Sequence, residues 1–120
     1  MLGKLIIALM LLASVSSAET IQFGNYTATF NMSQPHIIDK QAHAAEIKTF
    51  DGKIELLEGG KKSYDARFIG MVNEYSMSIF SDVGYVLDNR KGDYFIFSTL
   101  NLTSTIDFIK TVKVEKIKGK

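Results

Sequence analysis

Apolar and polar residues alternate along most of this chain, and the alternation breaks at short clusters of Gly, Asn, Asp and Ser. A period of two marks half-buried strands. From Ile21 to Met32, the residues Tyr26, Ala28, Phe30 and Met32 fall on one face. Asn25, Thr27, Thr29 and Asn31 fall on the other. This predicts one strand with a polar outer face. Tyr75–Ile79 alternates cleanly and reads as a strand, with a helix capped by Asn73 as the alternative. Gly84–Leu87 reads as a short strand, Asp88–Asp93 as a polar turn, and Tyr94–Leu100 as the strand that completes the hairpin. In that last strand Phe95 and Phe97 face one way and Ile96 the other. Apolar residues on both faces predict a central strand.

Two stretches break the period. Ser33-Gln34-Pro35 ends the first strand, and Pro35 suits the first turn of a helix capped by Ser33. Beyond it Ile38, Ala42 and Ala45 recur at helical spacing, which predicts a short helix over 35–47, with an extended connection as the alternative. Near the C-terminus, Leu102, Ile106 and Ile109 repeat at helical spacing, with Thr103 or Ser104 as the capping hydroxyl and Lys110 and Lys113 at the end that favours cations. Val112 and Val114 alternate, so a terminal strand is the alternative there. Between these regions, Lys48–Val72 reads as a hairpin. Its arms are Lys53–Leu57 and Tyr64–Val72, its turn is Glu58-Gly59-Gly60-Lys61, and Asp51-Gly52 is a second turn signal. The fold class is α+β: an antiparallel sheet of about five to seven strands with one or two helices packed on one face.

The first 18 residues lie outside this pattern. Lys4, the apolar run Leu5–Leu12 and the small residues Ser16-Ser17-Ala18 form the three regions of a secretory signal peptide. The expected organisation is therefore a signal at 1–18 and one secreted domain at 19–120, released or held at the cell envelope without stable membrane insertion after cleavage. The chain has no Cys, which excludes disulfides and a lipid-modified cysteine anchor. Without Lys4 the 14 basic side chains become 13, matching the 13 acidic ones. A near-neutral domain has no global attraction to nucleic acid. Export gives meaning to three Asn-x-Ser/Thr sequons, at Asn25, Asn31 and Asn101, which read as glycosylation sites.

Candidate chemistry is sparse. His36, Asp39, His43 and Glu46 would form one stripe on a helix over 35–47. His36, Asp39 and His43 could then ligate a divalent metal such as zinc or nickel. The competing reading is the solvent face of that helix. No nucleophile elbow or phosphate loop is present; Gly59-Gly60-Lys61-Lys62 lacks the spacing and the helix a phosphate loop needs. A pair of carboxylates for hydrolysis is compatible with any sequence holding 13 acids. The basic C-terminal residues Lys110, Lys113, Lys116, Lys118 and Lys120 offer contact with an anionic polymer or a solvated end. No cofactor is implied.

The aromatic opening Phe23-Gly24-Asn25-Tyr26-Thr27-Ala28-Thr29-Phe30 and the closing run Phe108-Ile109-Lys110-Thr111-Val112-Lys113-Val114 resemble the PsbP-like group of exported α+β domains. The layout is also similar to that of small secreted proteins of unknown function from methane-producing archaea. PsbP-like domains carry Pro-x-x-Trp after the first strand; here Pro35 is present and Trp is absent. The resemblance implies architecture and no activity. The function expected is a non-enzymatic exported module that binds an envelope protein, a glycan or a surface. The alternatives are a metal-binding protein and a small hydrolase.

Overall fold

The computed structural model describes residues 18–59, 66–81 and 84–118. Nearly all of the expected signal, residues 60–65 of the expected hairpin, and the last two residues lie outside them. Among the described residues ten strands and one helix run in the order β1 (Glu19–Phe23), β2 (Tyr26–Phe30), β3 (Ile37–Lys40), β4 (Ala44–Thr49), β5 (Gly52–Glu58), β6 (Ala66–Val72), β7 (Tyr75–Phe80), β8 (Gly84–Asp88), β9 (Tyr94–Ser98), α1 (Leu102–Thr111) and β10 (Lys113–Lys116). Seven strands form an antiparallel sheet ordered β3-β4-β5-β9-β8-β7-β6. Three form a second sheet ordered β1-β2-β10. The expected sheet-rich fold is present, and sheet dominates it more than the α+β expectation implied.

The core lies between the two sheets. Ile54, Leu56, Ile96, Leu87 and Met77 line the inner face of the large sheet, and Ile21, Phe23, Ala28 and Phe30 face them from the small one. The small sheet meets β4 and β5 through β1, while α1 reaches β2 and β6, so sheet and helix together cover that face. Phe108, Ile109 and Thr105 of α1 are buried there. β9 is the middle strand of seven, as its apolar residues on both faces predicted. Phe95 and Val86 are buried too, yet stand outside the main cluster, because they point to the opposite face.

Several expectations needed correction. The strand expected over Ile21–Met32 is the hairpin β1–β2. Apolar positions 21 and 23 are odd while 26, 28 and 30 are even, and the phase slips at Gly24-Asn25. Gly24 has φ +59 and permits the turn; a Cβ there would also strike the Glu58 carboxylate. The helix expected over 35–47 is instead β3 and β4. Ile38 pairs with Ile47, both on the inner face, while Ala42 of the proposed helical stripe is exposed in the turn. The extended alternative was right, because pairing on an existing sheet outweighs a weak stripe of small residues.

The hairpin expected over Lys48–Val72 divides differently. β5 pairs with β4 through the two-residue turn Phe50-Asp51, and with β9 on its other side. Among the described residues β6 pairs with β7 alone, through Asn73-Glu74. The helix cap falls on Asn101, whose side chain accepts from the Ser104 backbone N–H at 2.8 Å, and not on Thr103 or Ser104. The alternation at Val112 and Val114 becomes β10, paired antiparallel with β2.

Candidate functional site

One end of the large sheet gathers the β4–β5 turn, the start of β3, the start of β8 and the β9–α1 corner. The corner is fixed by a closed ring of hydrogen bonds. The Leu100 N–H donates to Ser98 Oγ at 3.1 Å, and Thr105 Oγ1 donates to the Leu100 carbonyl at 3.4 Å. With the Thr105 proton so used, the Ser98 hydroxyl donates to Thr105 Oγ1 at 2.7 Å. Ser98 and Thr105 are buried, so this ring satisfies polar groups that water does not reach. Next to it the Lys53 N–H donates to Thr99 Oγ1 at 2.9 Å, tying the corner to β5.

Phe50 stands at the tip of the β4–β5 turn and is 96% exposed. Nothing in a two-residue turn requires an aromatic side chain. Ile37, on the neighbouring β3, is 71% exposed. On one side of the turn, Pro35, His36, Ile37, Lys48, Thr49 and Phe50 line a cleft of about 270 Å³. On the other, Asp51, Ile79, Gly84, Tyr85, Thr99, Leu100 and Asn101 line one of about 420 Å³. A third, also about 270 Å³, runs between Asn31–Gln34 and α1 and shares Leu100. The first two clefts flank the Phe50 turn, and the third adjoins the second at Leu100. Each holds at most one carboxylate, Asp51 in one and Asp107 in another.

A second exposed apolar set lies on the edge strand β6, where Phe68, Ile69 and Met71 are 59%, 43% and 46% exposed. The register of β6 slips between Phe68 and Gly70, and Arg67 is exposed beside it. Bulges and charges of this kind blunt an edge against strand addition.

The residues proposed as metal ligands are not brought together. His36 lies just before β3. Its Nδ1 bonds the Gln34 carbonyl at 2.8 Å and its Nε2 the Glu19 carboxylate at 2.5 Å. The carbonyl and an ionised carboxylate both accept, so these two bonds favour the protonated ring. Burial disfavours that charge, but the bonds to Gln34 and Glu19 outweigh it and raise the His36 pKa above its ordinary value. Asp39 sits on β3 with Lys48 Nζ at 3.6 Å. His43, in the β3–β4 turn, bonds Glu58 through Nδ1 at 2.7 Å. Among the described residues no three His, Asp or Glu side chains form a group able to hold a metal ion. The stripe depended on a helix that this segment does not form.

The opposite end is built on Glu58. Its carboxylate accepts from His43 and from the Asn25 backbone N–H at 3.0 Å, and these bonds hold its pKa below the ordinary value. Behind it Tyr26, Tyr94, Tyr75 and Phe23 pack ring against ring. The buried hydroxyls of Tyr75 and Tyr94 lie 2.7 Å apart, and burial pushes both pKa values up. Glu46 stands opposite Glu55 across β4 and β5 and opposite Asp39 across β3 and β4. Glu46 and Glu55 lie on the sheet's outer face and share Lys53, at 3.8 and 2.9 Å. Of the basic C-terminal residues, Lys110, Lys113, Lys116 and Lys118 are exposed.

The sequon asparagines Asn25, Asn31 and Asn101 are all exposed. Asn25 sits in the β1–β2 turn; Asn101 lines the cleft beside Asp51, and Asn31 the one along α1. Sequence reasoning missed Phe50, since an isolated Phe before Asp51-Gly52 reads as part of a strand. The turn signal beside it was the available clue. Among the described residues no helix is long and apolar enough to cross a membrane. No protein-family model, curated protein or solved structure matches this chain.

Proposed function

We propose that this protein is an exported, non-enzymatic binding module of the cell envelope or extracellular space, and that it docks on its partner through the end carrying Phe50. The exposure of Phe50 carries this reading. A Phe side chain left in water contributes nothing to folding, while its burial against a partner is worth about 1.5–3 kcal/mol. Ile37 and Pro35 extend the apolar surface beside it, and Lys48 and Asp51 supply a polar rim. A turn clamped by the β4–β5 register and by the Thr99 bond to Lys53 presents Phe50 without loss of mobile side-chain or loop entropy elsewhere.

Export rests on the signal-like N-terminus, and glycosylation at Asn25, Asn31 and Asn101 belongs to the same proposal, supported by their exposure. An affiliation with PsbP-like domains is proposed on layout alone. The clefts support binding over hydrolysis because none holds two carboxylates. The test is capture of partners by the exported protein from its own cells, comparing the native chain with Phe50→Ser.

A further inference from the structure

Asn101 is a sequon asparagine whose two amide atoms have different duties. Oδ1 accepts the Ser104 N–H at 2.8 Å and so locks the amide against the first turn of α1. In a planar amide held that way, Nδ2 points away from the helix. Asn101 also lines the 420 Å³ cleft, together with Asp51, Thr99 and Tyr85. Among the described residues, Nδ2, the Asp51 carboxylate and the Tyr85 hydroxyl have no hydrogen-bond partner. The residues that line this space thus carry a donor, an acceptor and a hydroxyl, the last on the partly buried ring of Tyr85.

The lining selects a class of occupant. Its only formal charge is Asp51, which repels an anion, and one carboxylate is too few ligands for a metal ion. The free polar groups disfavour a purely apolar guest, since its burial would leave them unpaired. A neutral hydroxylated ring suits both the polar groups and the aromatic one: its C–H face packs on an aromatic surface while its hydroxyls give and accept hydrogen bonds. The volume lies within the range of small-ligand clefts.

We propose that Asn101 carries an N-linked glycan whose first sugar is seated in this cleft, against Tyr85 and Asp51. This rests on export as proposed above. In the transfer Nδ2 gives up one hydrogen and bonds the anomeric carbon of the sugar. The phosphate of a lipid-linked sugar donor leaves with the bonding electrons, and the proton goes with it. Because Oδ1 holds the cap and Nδ2 forms the linkage, the helix cap survives modification. The corner is already rigid through Ser98, Leu100 and Thr105, so the sugar is held by a preformed wall. The seated sugar closes one flank of Phe50 and leaves the cleft of Pro35, Ile37 and Lys48 as the flank open to a partner.

Asn25 supplies an internal control. It lies in an exposed turn at the opposite end and lines none of the three clefts. The experiment secretes the full chain from a host that attaches N-acetylglucosamine-linked glycans, trims each to a single N-acetylglucosamine, and records NMR spectra. The expected result is cross-peaks between the Asn101 sugar and the Tyr85 ring, with restricted sugar motion, while the Asn25 sugar is mobile and shows none. Tyr85→Ala should abolish the cross-peaks and free the Asn101 sugar. Asn101→Asp keeps the cap acceptor and should leave the helix intact while removing the sugar signals. An Asn101 sugar as mobile as that on Asn25, or a bare Asn101 beside an occupied Asn25, overturns the proposal. An intact mass equal to the bare chain overturns glycosylation as a whole; docking through Phe50 is judged separately by partner capture.

Discussion

Ser98 Oγ and Thr105 Oγ1 lie 2.7 Å apart in the core, seven residues apart in the chain, and join the end of the middle strand to the helix that covers it. Ser98→Ala strips the Leu100 N–H of its acceptor and the Thr105 oxygen of its donor inside a site without water. Each orphaned buried group costs about 1–3 kcal/mol. Ser98→Ala should therefore lower the denaturant midpoint clearly. Ser98→Ala combined with Thr105→Val should cost less than the sum of the two single changes, since both act on one ring. Additive effects in chemical denaturation would show that the ring does not act as a unit.

His36 and Glu58 give the domain a pH profile. The His36 pKa is raised above 6.5, so the stability it contributes is complete below that value and is lost as pH rises through its folded value. The Glu58 pKa is depressed below 4.5, so its contribution is complete above 4.5 and is lost as pH falls through the folded value. Stability should peak between these limits, at mildly acidic pH. His36→Asn should flatten the alkaline limb and Glu58→Gln the acid limb, as read by unfolding free energies across pH. A slope above pH 6.5 that is unchanged in His36→Asn would contradict the assignment.

Tyr75 and Tyr94 should resist ionisation. Burial raises both, and Tyr75 also shares its proton with Tyr94. In an NMR titration both sets of ring signals should move at higher pH than those of an exposed tyrosine, with Tyr75 the more resistant. Tyr75→Phe removes the shared bond and should destabilise by about 1 kcal/mol.

Helix propensity also has a measurable part. Asn101→Ala removes the cap at the helix start and should cost about 1 kcal/mol, whereas Asn101→Asp should cost little. Equal losses in thermal unfolding would argue that the cap contributes nothing.

Legibility in the sequence followed the strength of each local pattern. β7, β8 and β9 were readable because their periods are clean, whereas α1 was expected with the wrong inner face: Leu102 of the Leu102–Ile106–Ile109 stripe is 43% exposed, and Thr105, Phe108 and Ile109 are the buried set. Central placement of β9 followed from Phe95, Ile96 and Phe97 alone. The first hairpin was hidden because a two-residue turn keeps apolar and polar residues alternating on each side; only the change from odd to even positions betrays it. The segment at 35–47 was misread because Ile38, Ala42 and Ala45 sit at helical spacing by accident, while Ile47, its actual partner across the sheet, lay at the edge of the window. Long-range pairings such as β5 with β9 leave no local trace at all. The candidate site suffered most from this. Phe50 becomes conspicuous only when Asp51 is known to be in a turn, and Asp51 meets Asn101 only through the fold.

Docking through Phe50 is tested most directly by partner capture with native and Phe50→Ser chains, both secreted and matched for unfolding free energy. Phe50 is exposed, so Phe50→Ser should leave stability unchanged within about 0.5 kcal/mol. Loss of a buried Phe anchor should weaken partner binding by roughly ten- to a hundredfold, and β6 variants such as Phe68→Ser should bind as the native chain does. Equal capture by native and Phe50→Ser chains, with loss on Phe68→Ser, would contradict the account and move the binding surface to the β6 edge.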